Sequence, residues 1–295
     1  MGIDHGRTDL RDRVVLVTGA TSGIGRATAT ALAARNATVV LVGRSPARAE
    51  ATRREIVAGT GNTAIDVVVA DLSEQGSVRR LAARVTERHR SLHVLINNAG
   101  ITNPRRLQTA DGMEETLAVN HLAPFLLTDL LLPALHAAGA ARVITLTSAA
   151  FRMGRIDLDD LHSTRRYGQH RAYNQSKLAN ILFTRELARR LQSTPAPDGP
   201  PLGSVSATAV EPGFVRTGMT PPFPFNLAGF LRTTPQKAAR AVVRLAAADD
   251  LADHNGVLFA HTGRPIRPTG RAADPELARR LWDASTELTA GGDDR

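Results

Sequence analysis

The chain has 295 residues and no cysteine, which excludes disulfide bonds and thiol chemistry. A reducing compartment suits such a chain, and a cytoplasmic location is predicted. The opening residues 1–7 are polar and charged, without the apolar core of a signal peptide. The longest apolar run, 122–138, is interrupted by Pro124, Asp129 and Pro133, which favours a buried helix over a membrane span. No membrane span is therefore expected.

A metal-binding pattern is lacking as well. The 9 histidines show no ligand spacing, and no His-Glu-x-x-His motif occurs, so no metal is predicted.

The formal charge of +9, from 37 basic and 28 acidic residues, could indicate nucleic acid as a partner. The basic residues are, however, spread along helical segments beside acidic neighbours, as at 53–54, 79–80 and 189–190. Solvated helix faces are the better interpretation, and no nucleic-acid partner is predicted.

Hydrophobic residues make up 42% of the chain, enough for one α/β domain over 1–295. Apolar runs of strand length alternate with segments of helical periodicity, of which 26–35, 73–89 and 235–247 are examples. This alternation predicts a doubly wound parallel sheet with helices on both faces, whose ligands bind beyond the carboxyl ends of the strands. The predicted strands are 14–19, 38–42, 65–70, 92–96, 142–147, 205–210 and 256–260.

A glycine-rich turn, 18–25, follows the first predicted strand and precedes a helical pattern. Its spacing, Gly-x-x-x-Gly-x-Gly, differs from the commoner Gly-x-Gly-x-x-Gly, but the physical basis is the same. Glycine lets backbone amides approach a pyrophosphate, and the helix N-terminus offers free N–H groups to that anion. An ordinary glycine-rich turn is the alternative. The residues predicted to hold a dinucleotide here are Gly19, Thr21, Ser22, Gly23, Ile24 and Gly25.

Tyr173 and Lys177 stand four residues apart, downstream of an apolar strand that leads to Ser148. Residues at this spacing share a helix face, so the phenol and the ammonium can converge. A nearby ammonium favours the charged form of a phenol, whose unperturbed pKa is about 10, and we expect a lowered pKa for Tyr173. Such a phenol is suited to general acid or base catalysis. A solvated helix face is the alternative for the pair taken alone.

The order and spacing of several motifs carry a family resemblance. They comprise 18–25, 97–100, Asn120, Ser148, Tyr173 and Lys177. Together they resemble the short-chain dehydrogenase/reductase family over about residues 13–217. The segments 119–122 and 175–180 are similar to those of retinol-dehydrogenase-like and protochlorophyllide-reductase-like members. The resemblance implies a Rossmann-type sheet of seven strands in the order 3-2-1-4-5-6-7.

The resemblance also implies a role for each catalytic residue. Tyr173 would exchange a proton with the substrate oxygen, and Ser148 would orient that oxygen. Lys177 would hydrogen-bond the nicotinamide ribose, and Asn120 would hold a water that relays protons. In relatives the residue corresponding to Asp71 lies against adenine, but Asp71 could here simply form a turn or cap a helix. Further implied cofactor contacts are Asp71, Leu72, Asn98, Ala99 and Gly100.

The end of the second predicted strand bears on the choice of dinucleotide. An acidic residue there would bind the adenosine ribose and repel a 2′-phosphate. Gly43 stands where NAD-preferring relatives often have Asp, and the following Arg44 can bind a phosphate bidentately. NADP(H) is therefore predicted in preference to NAD(H). Stacking of Arg44 on adenine is the alternative.

The segment 211–217 resembles the Pro-Gly segment that closes over nicotinamide in the family, although Glu211 replaces the His of many relatives. The cofactor contacts implied here are Pro212, Gly213, Val215 and Thr217. An apolar, proline-stiffened stretch, about 212–235, is interpreted as a substrate lid. With Phe151 and Met153 it favours a bulky apolar substrate. Core packing or a subunit contact is the alternative.

These residues predict an NADPH-dependent carbonyl reductase or alcohol dehydrogenase that acts on a small lipophilic substrate. The alternative is a dinucleotide-sensing regulatory protein that has lost turnover. The other tyrosine, Tyr167, would be a loop residue or a substrate contact, and Ser176 is a weaker candidate than Ser148 for the hydroxyl role. In relatives the long helices 118–138 and 171–193 would form a subunit interface, so a homodimer or homotetramer is predicted.

Overall fold

The computed structural model describes residues 9–193, 204–213, 233–248 and 254–290. Most of the proposed substrate lid, 214–232, lies outside the described residues. The two predicted cofactor contacts Val215 and Thr217 lie outside them as well. The single-domain organisation over 1–295 stays a prediction.

One sheet of eight strands carries the fold. The strands are β1 (Val14–Thr18), β2 (Thr38–Gly43), β3 (Ile65–Val69), β4 (Val94–Asn97), β5 (Ala140–Leu146), β6 (Ser204–Glu211), β7 (Leu258–Ala260) and β8 (Pro265–Ile266). Their order is β3-β2-β1-β4-β5-β6-β7-β8, and the neighbours from β3 to β7 are parallel. The predicted order of seven parallel strands is confirmed. β8 adds an antiparallel edge, unforeseen because two residues beginning with proline show no readable periodicity.

The helices alternate with these strands. They are α1 (Gly23–Ala33), α2 (Pro46–Thr60), α3 (Gln75–Arg88), α4 (Glu115–Leu117), α5 (Ala123–Ala137), α6 (Gln169–Ser193), α7 (Pro235–Ala247) and α8 (Pro275–Thr289). The helix α7 has the bounds that the sequence predicts. The helix α1 begins at Gly23, before the predicted 26–35, because the poor helix propensity of glycine conceals this start.

The core lies on both faces of the sheet. In β1, the side chains of Val15 and Val17 pack against one face together with residues of α1 and α7, such as Leu32 and Val242. The intervening Leu16 packs against the other face with residues of α3, α5 and α6. Burial on both faces explains why the strands are continuous apolar runs without alternation.

The helix that contains Asn120 is irregular. A π-helical segment, Ala118–Leu122, joins α4 to α5. Pro124 has no N–H and therefore cannot give the carbonyl of Asn120 an α-helical hydrogen bond, while the N–H of Ala123 bonds to the carbonyl of Ala118. Such π segments occur frequently at functional sites. The continuous helical stretch Glu115–Ala137 is long and apolar enough to cross a membrane by length and composition, but 78% of its apolar window is buried within the protein, as in a core helix.

The C-terminal helix α8 covers part of the outer surface of α5 and α6. The Trp282 ring contacts Phe125 edge-on, with 4.8 Å between centroids, and stacks on Phe183 at 5.9 Å. The Arg190 guanidinium lies 4.5 Å from the centre of the same indole ring. The surface that the resemblance assigns to a subunit interface is thus partly occupied by the chain's own helix.

Candidate functional site

The glycine-rich turn between β1 and α1 has no room for side chains. Gly19 has a φ of +64°, and a Cβ at this position would lie 2.9 Å from the Cα of Ala99. A Cβ on Gly25 would collide with the carbonyl of Gly19 and with the amide of Asn98. Both glycines are therefore required by close backbone approach, as the predicted cradle demands.

The N-terminus of α1 is open to an anion. Ser22 is its N-cap residue, but the serine side chain makes no capping hydrogen bond, and the first turn contains no acidic residue. Ile24 packs partly buried against the core and anchors this turn. Gly23, with a φ of +53°, begins the helix. The free N–H groups and the dipole of the helix suit the pyrophosphate of a dinucleotide, so the residues present fit that cofactor.

Thr18 and Asn98 hold this turn in place. The Thr18 hydroxyl accepts hydrogen bonds from the backbone N–H groups of Asn98 and Ala99, both at 3.0 Å. The Asn98 side-chain amide donates to the carbonyls of Thr18 at 2.7 Å and Gly19 at 3.3 Å. Asn98, predicted to contact cofactor directly, thus has its amide donors committed to the turn. Thr18 was not predicted, although a hydroxyl directly before a glycine turn is a usable signal.

The end of β2 carries a glycine and an arginine, with no acidic residue that could bind the adenosine ribose. A Cβ on Gly43 would lie 2.6 Å from the Cγ2 of Thr21, so Thr21 fills the space in which an acidic side chain would begin. Arg44 follows, is exposed, and has no hydrogen-bond or ion-pair partner among the described residues. Ser45 then caps α2 through the N–H of Arg48 at 3.4 Å.

Asp71 has a local structural role. Its Oδ1 accepts hydrogen bonds from the Ser73 backbone N–H at 2.9 Å and from the Ser73 hydroxyl at 2.7 Å. This is the turn that the sequence left as the alternative to adenine binding. Leu72 is partly buried against the core. Both residues nevertheless follow β3 at the carboxyl edge of the sheet, where a cofactor is expected.

Ser148 and Tyr173 come together at the end of β5. Ser148 caps a 3-10 turn, Ala149–Met153, and its hydroxyl accepts from the N–H of Ala150 at 3.3 Å. Tyr173 lies in the first turns of α6, and its phenol is close enough to the Ser148 side chain for that side chain to lower the phenol pKa. The turn is pressed against α6, since a Cβ on Gly154 would lie 2.6 Å from the Asn174 carbonyl. This packing brings the segment after Ser148 against the helix that carries Tyr173, near the carboxyl edge of the sheet.

The ionisation of this cluster differs from the prediction. Burial raises the pKa of Tyr173, and the hydrogen bond from Ser148 only partly opposes that effect. Lys177 is 4% exposed, and burial lowers the pKa of its ammonium to about 8. Its Nζ lies 5.6 Å from the centre of the Tyr173 ring and donates to the Leu146 carbonyl at 3.4 Å. The expected lowering of the phenol pKa is wrong for this structure, because desolvation of the phenol outweighs the opposing effect of Ser148.

Asn120 lies next to Lys177 but is engaged with the protein. Its side chain accepts from the N–H of Ile101 at 2.7 Å and donates to the Ile101 carbonyl at 2.9 Å. It also donates to the Ser176 hydroxyl at 3.0 Å. A Cβ on Gly100 would lie 3.3 Å from the Lys177 Nζ and 3.4 Å from the Asn120 Oδ1, so this glycine permits the close packing of both side chains.

The two weaker sequence candidates have other partners. Ser176 is fully buried and donates to the Tyr173 backbone carbonyl at 2.8 Å while it accepts from Asn120, so its hydroxyl faces away from Ser148. The Tyr167 hydroxyl donates to the carbonyl of Asn103 at 2.8 Å. Neither hydroxyl is free for proton exchange with a substrate.

The segment after β6 brings further polar groups to this edge. Pro212 is buried, and Gly213, with a φ of +75°, lies under the ring of His261. The carboxylate of Glu211 accepts a hydrogen bond from the guanidinium of Arg152 at 2.9 Å. The pairing of Arg152 with Glu211 was not predicted, because these residues are 59 positions apart.

A surface cavity of about 700 Å³ is lined by residues that include Met153, Asn174 and Arg280, but by none of the predicted catalytic residues. A second cavity, of about 550 Å³, lies between α1 and α7, is lined by four arginines and includes none of the catalytic residues. Among the described residues, no group of three or more His, Asp or Glu could hold a metal ion.

A glycine-rich turn with backbone amides open to an anion lies at the same edge of the sheet as Ser148, Tyr173 and Lys177, an arrangement typical of dinucleotide-dependent oxidoreductases. A family model described as short chain dehydrogenase matches residues 13–225. Retinol dehydrogenase 12 of Homo sapiens is 38% identical, with 97% of this chain and 89% of that protein covered. The chain therefore belongs to the short-chain dehydrogenase family of oxidoreductases, and retinol dehydrogenases are among its relatives.

Solved structures agree with this assignment. A crystal structure from Mycobacterium paratuberculosis is 36% identical with a TM-score of 0.79, covering 96% of this chain and 95% of that chain. A structure from Beutenbergia cavernae, described as an NAD(P)-dependent gluconate 5-dehydrogenase with bound NADP at low occupancy, is 28% identical with a TM-score of 0.67. The match covers 87% of this chain and 97% of that one.

Proposed function

We propose that the protein is an NADPH-dependent oxidoreductase that transfers a hydride between nicotinamide and the carbonyl or alcohol carbon of a bulky apolar substrate. The observation that carries this proposal is the closeness of the Ser148 and Tyr173 side chains, with the buried ammonium of Lys177 beside the Tyr173 ring. Burial of an ammonium is costly, and such perturbed groups cluster at functional sites. The retinol dehydrogenase relatives are named for an apolar alcohol, and the exposed Met153 offers apolar surface beside the site.

The reaction uses these groups in both directions. The bound dinucleotide supplies or accepts the hydride. In reduction, Tyr173 donates its phenolic proton to the substrate oxygen as negative charge develops there, and the Ser148 hydroxyl hydrogen-bonds the same oxygen. In oxidation, Tyr173 accepts the proton. Lys177 remains charged below about pH 8, and its positive charge favours the loss of the phenolic proton. Asn120 fixes the segment at Ile101 that packs beside Lys177.

We propose the preference for NADP(H) because of the residues at the end of β2. The Cγ2 of Thr21 lies where a side chain at Gly43 would begin, and the guanidinium of Arg44 is unpaired among the described residues. The bound NADP of the Beutenbergia cavernae relative supports the same choice. We expect Arg44→Gln to raise the Kd for NADPH about tenfold, the effect of one lost charge-assisted contact, and to leave the Kd for NADH within about twofold.

Fluorescence titration of both dinucleotides measures this preference. The exposed Arg54 on α2 supplies the control variant, Arg54→Gln, for which both constants should stay unchanged. Equal weakening of NADPH and NADH by Arg44→Gln would support stacking on adenine instead. In that case the proposed discrimination would be wrong, although dinucleotide binding would stand.

Turnover is tested directly with purified protein. We expect absorbance assays to show NADPH oxidation with retinal, decanal or an apolar ketone, and slower turnover with NADH at equal concentration. Saturable NADPH binding without turnover, over this panel and with the corresponding alcohols and NADP, would instead support the regulatory alternative. Absence of dinucleotide binding would overturn the interpretation of the glycine-rich turn itself.

We also propose that the chain forms a homodimer or homotetramer and works in the cytoplasm. The subunit contact would use those parts of α5 and α6 that α8 leaves open, because Trp282 covers Phe125 and Phe183. Light scattering of the purified protein gives the mass of the assembly. Fractionation of cells that express the tagged chain gives its location.

A further inference from the structure

The ion pair between Arg152 and Glu211 joins the two segments that flank the catalytic hydroxyls. Arg152 lies in the 3-10 turn that Ser148 caps, and Glu211 is the last residue of β6. Leu146 pairs with Val210 in the parallel register of β5 and β6, so Glu211 lies beside Thr147, one residue before Ser148. The N–H of Thr147 bonds to the Val210 carbonyl at 2.8 Å, which fixes this register at the end of the strands.

The pair leaves charge accessible beside the site. The Glu211 side chain is 14% exposed, whereas that of Arg152 is 50% exposed. The guanidinium lies 4.5 Å from the centre of the buried Phe151 ring and donates one hydrogen bond, from Nη1, to Glu211. A guanidinium has five N–H donors, and no further partner of Arg152 is found among the described residues. Glu211 thus neutralises an arginine that otherwise has the geometry to bind a carboxylate.

We propose that Arg152 and Glu211 form a charge filter that determines substrate specificity: the neutral pair admits uncharged carbonyl and alcohol substrates and discriminates against those that carry a carboxylate near the reacting carbon. This inference rests on the proposed function. Its physical basis is that an anionic substrate must either lose its hydration beside the Glu211 carboxylate or displace that carboxylate from Arg152. A neutral substrate does neither.

Two aldehydes of matched shape test the filter, 4-formylbenzoate and its methyl ester, assayed with NADPH. The measured quantity is the ratio of kcat/KM for the acid to that for the ester. Glu211→Gln leaves the Arg152 cation without a counter-charge, and we expect the ratio to rise about tenfold, mainly through KM for the acid. Arg152→Gln leaves the carboxylate unpaired, and the ratio should fall. The double variant should return near the wild-type ratio.

Arg53, which forms an ion pair with Glu50 on α2 at 2.7 Å, supplies the matched control, since Arg53→Gln should not change the ratio. A merely structural role of the pair would lower kcat/KM for acid and ester alike, without moving the ratio, and would overturn the filter. Shifts of the same sign in both single variants would overturn it as well. If neither aldehyde turns over, the same ratio is taken from competitive inhibition constants against the best substrate of the panel. If no substrate of the panel turns over, the proposed function itself is contradicted, which is a different result from failure of the filter.

Discussion

Replacement of Tyr173 by phenylalanine is expected to lower kcat by about 10²–10⁴-fold, the contribution of a positioned general acid or base. In the proposed mechanism the phenol is the group that exchanges the proton, and the Ser148 side chain lies close to it. Phenylalanine keeps the ring beside Lys177. The Kd for NADPH should therefore change by less than about threefold, since the lost hydroxyl acts mainly on the reacting oxygen. Stopped-flow turnover and dinucleotide titration of the same preparation measure both quantities.

The chain supplies its own control, because Tyr167 is the only other tyrosine. Its hydroxyl donates to the Asn103 carbonyl, so Tyr167→Phe should cost at most about 1 kcal/mol of stability and leave turnover intact. The Tyr167→Phe protein also contains a single phenol, whose titration in near-ultraviolet absorbance reports the pKa of Tyr173. We expect a value above that of free tyrosine. Full turnover by Tyr173→Phe would contradict the mechanism.

Replacement of Lys177 by methionine is expected to have opposite effects on activity and on stability. Turnover should fall at least about 100-fold, because the positive charge beside Tyr173 is lost. The protein without cofactor should become more stable, because burial of the ammonium, whose pKa falls to about 8 from 10.5, costs roughly 3 kcal/mol at neutral pH. Denaturant unfolding at pH 7 measures this gain. Lys237, the only other lysine, lies exposed on α7, and Lys237→Met should change neither quantity.

The pH dependence of the stability difference between Lys177→Met and the wild type is a stricter test. Below about pH 8 both the folded and the unfolded chain hold the proton of Lys177, so the destabilisation is constant. Between about pH 8 and the unfolded pKa near 10.5, the unfolded chain still holds a proton that the folded chain has lost, and wild-type stability rises with pH. The advantage of Lys177→Met should therefore shrink across this window. A constant or growing advantage would show that packing, not charge burial, sets the difference.

Much of the architecture could be predicted because its signals are local. Apolar runs separated by helical periodicity identify the seven parallel strands, and a glycine turn after the first strand places the cradle of Gly19 and Gly25. The edge strand β8 and the π segment around Asn120 could not be predicted from the sequence. The first is too short to show a period, and the second arises from a proline in an otherwise helical run.

The site divides in the same way. The sequence by itself determined which residues reach the carboxyl edge of the sheet, since Ser148 closely follows a strand and Tyr173 shares a helix face with Lys177. Only the tertiary structure decided how these residues ionise and which charged residues pair beside them. Burial raised the phenol pKa against the expected direction, and packing brought Arg152 to Glu211 across 59 positions. Periodicity and spacing describe neighbours along the chain, whereas desolvation and distant charge pairs depend on which segments the completed fold brings together.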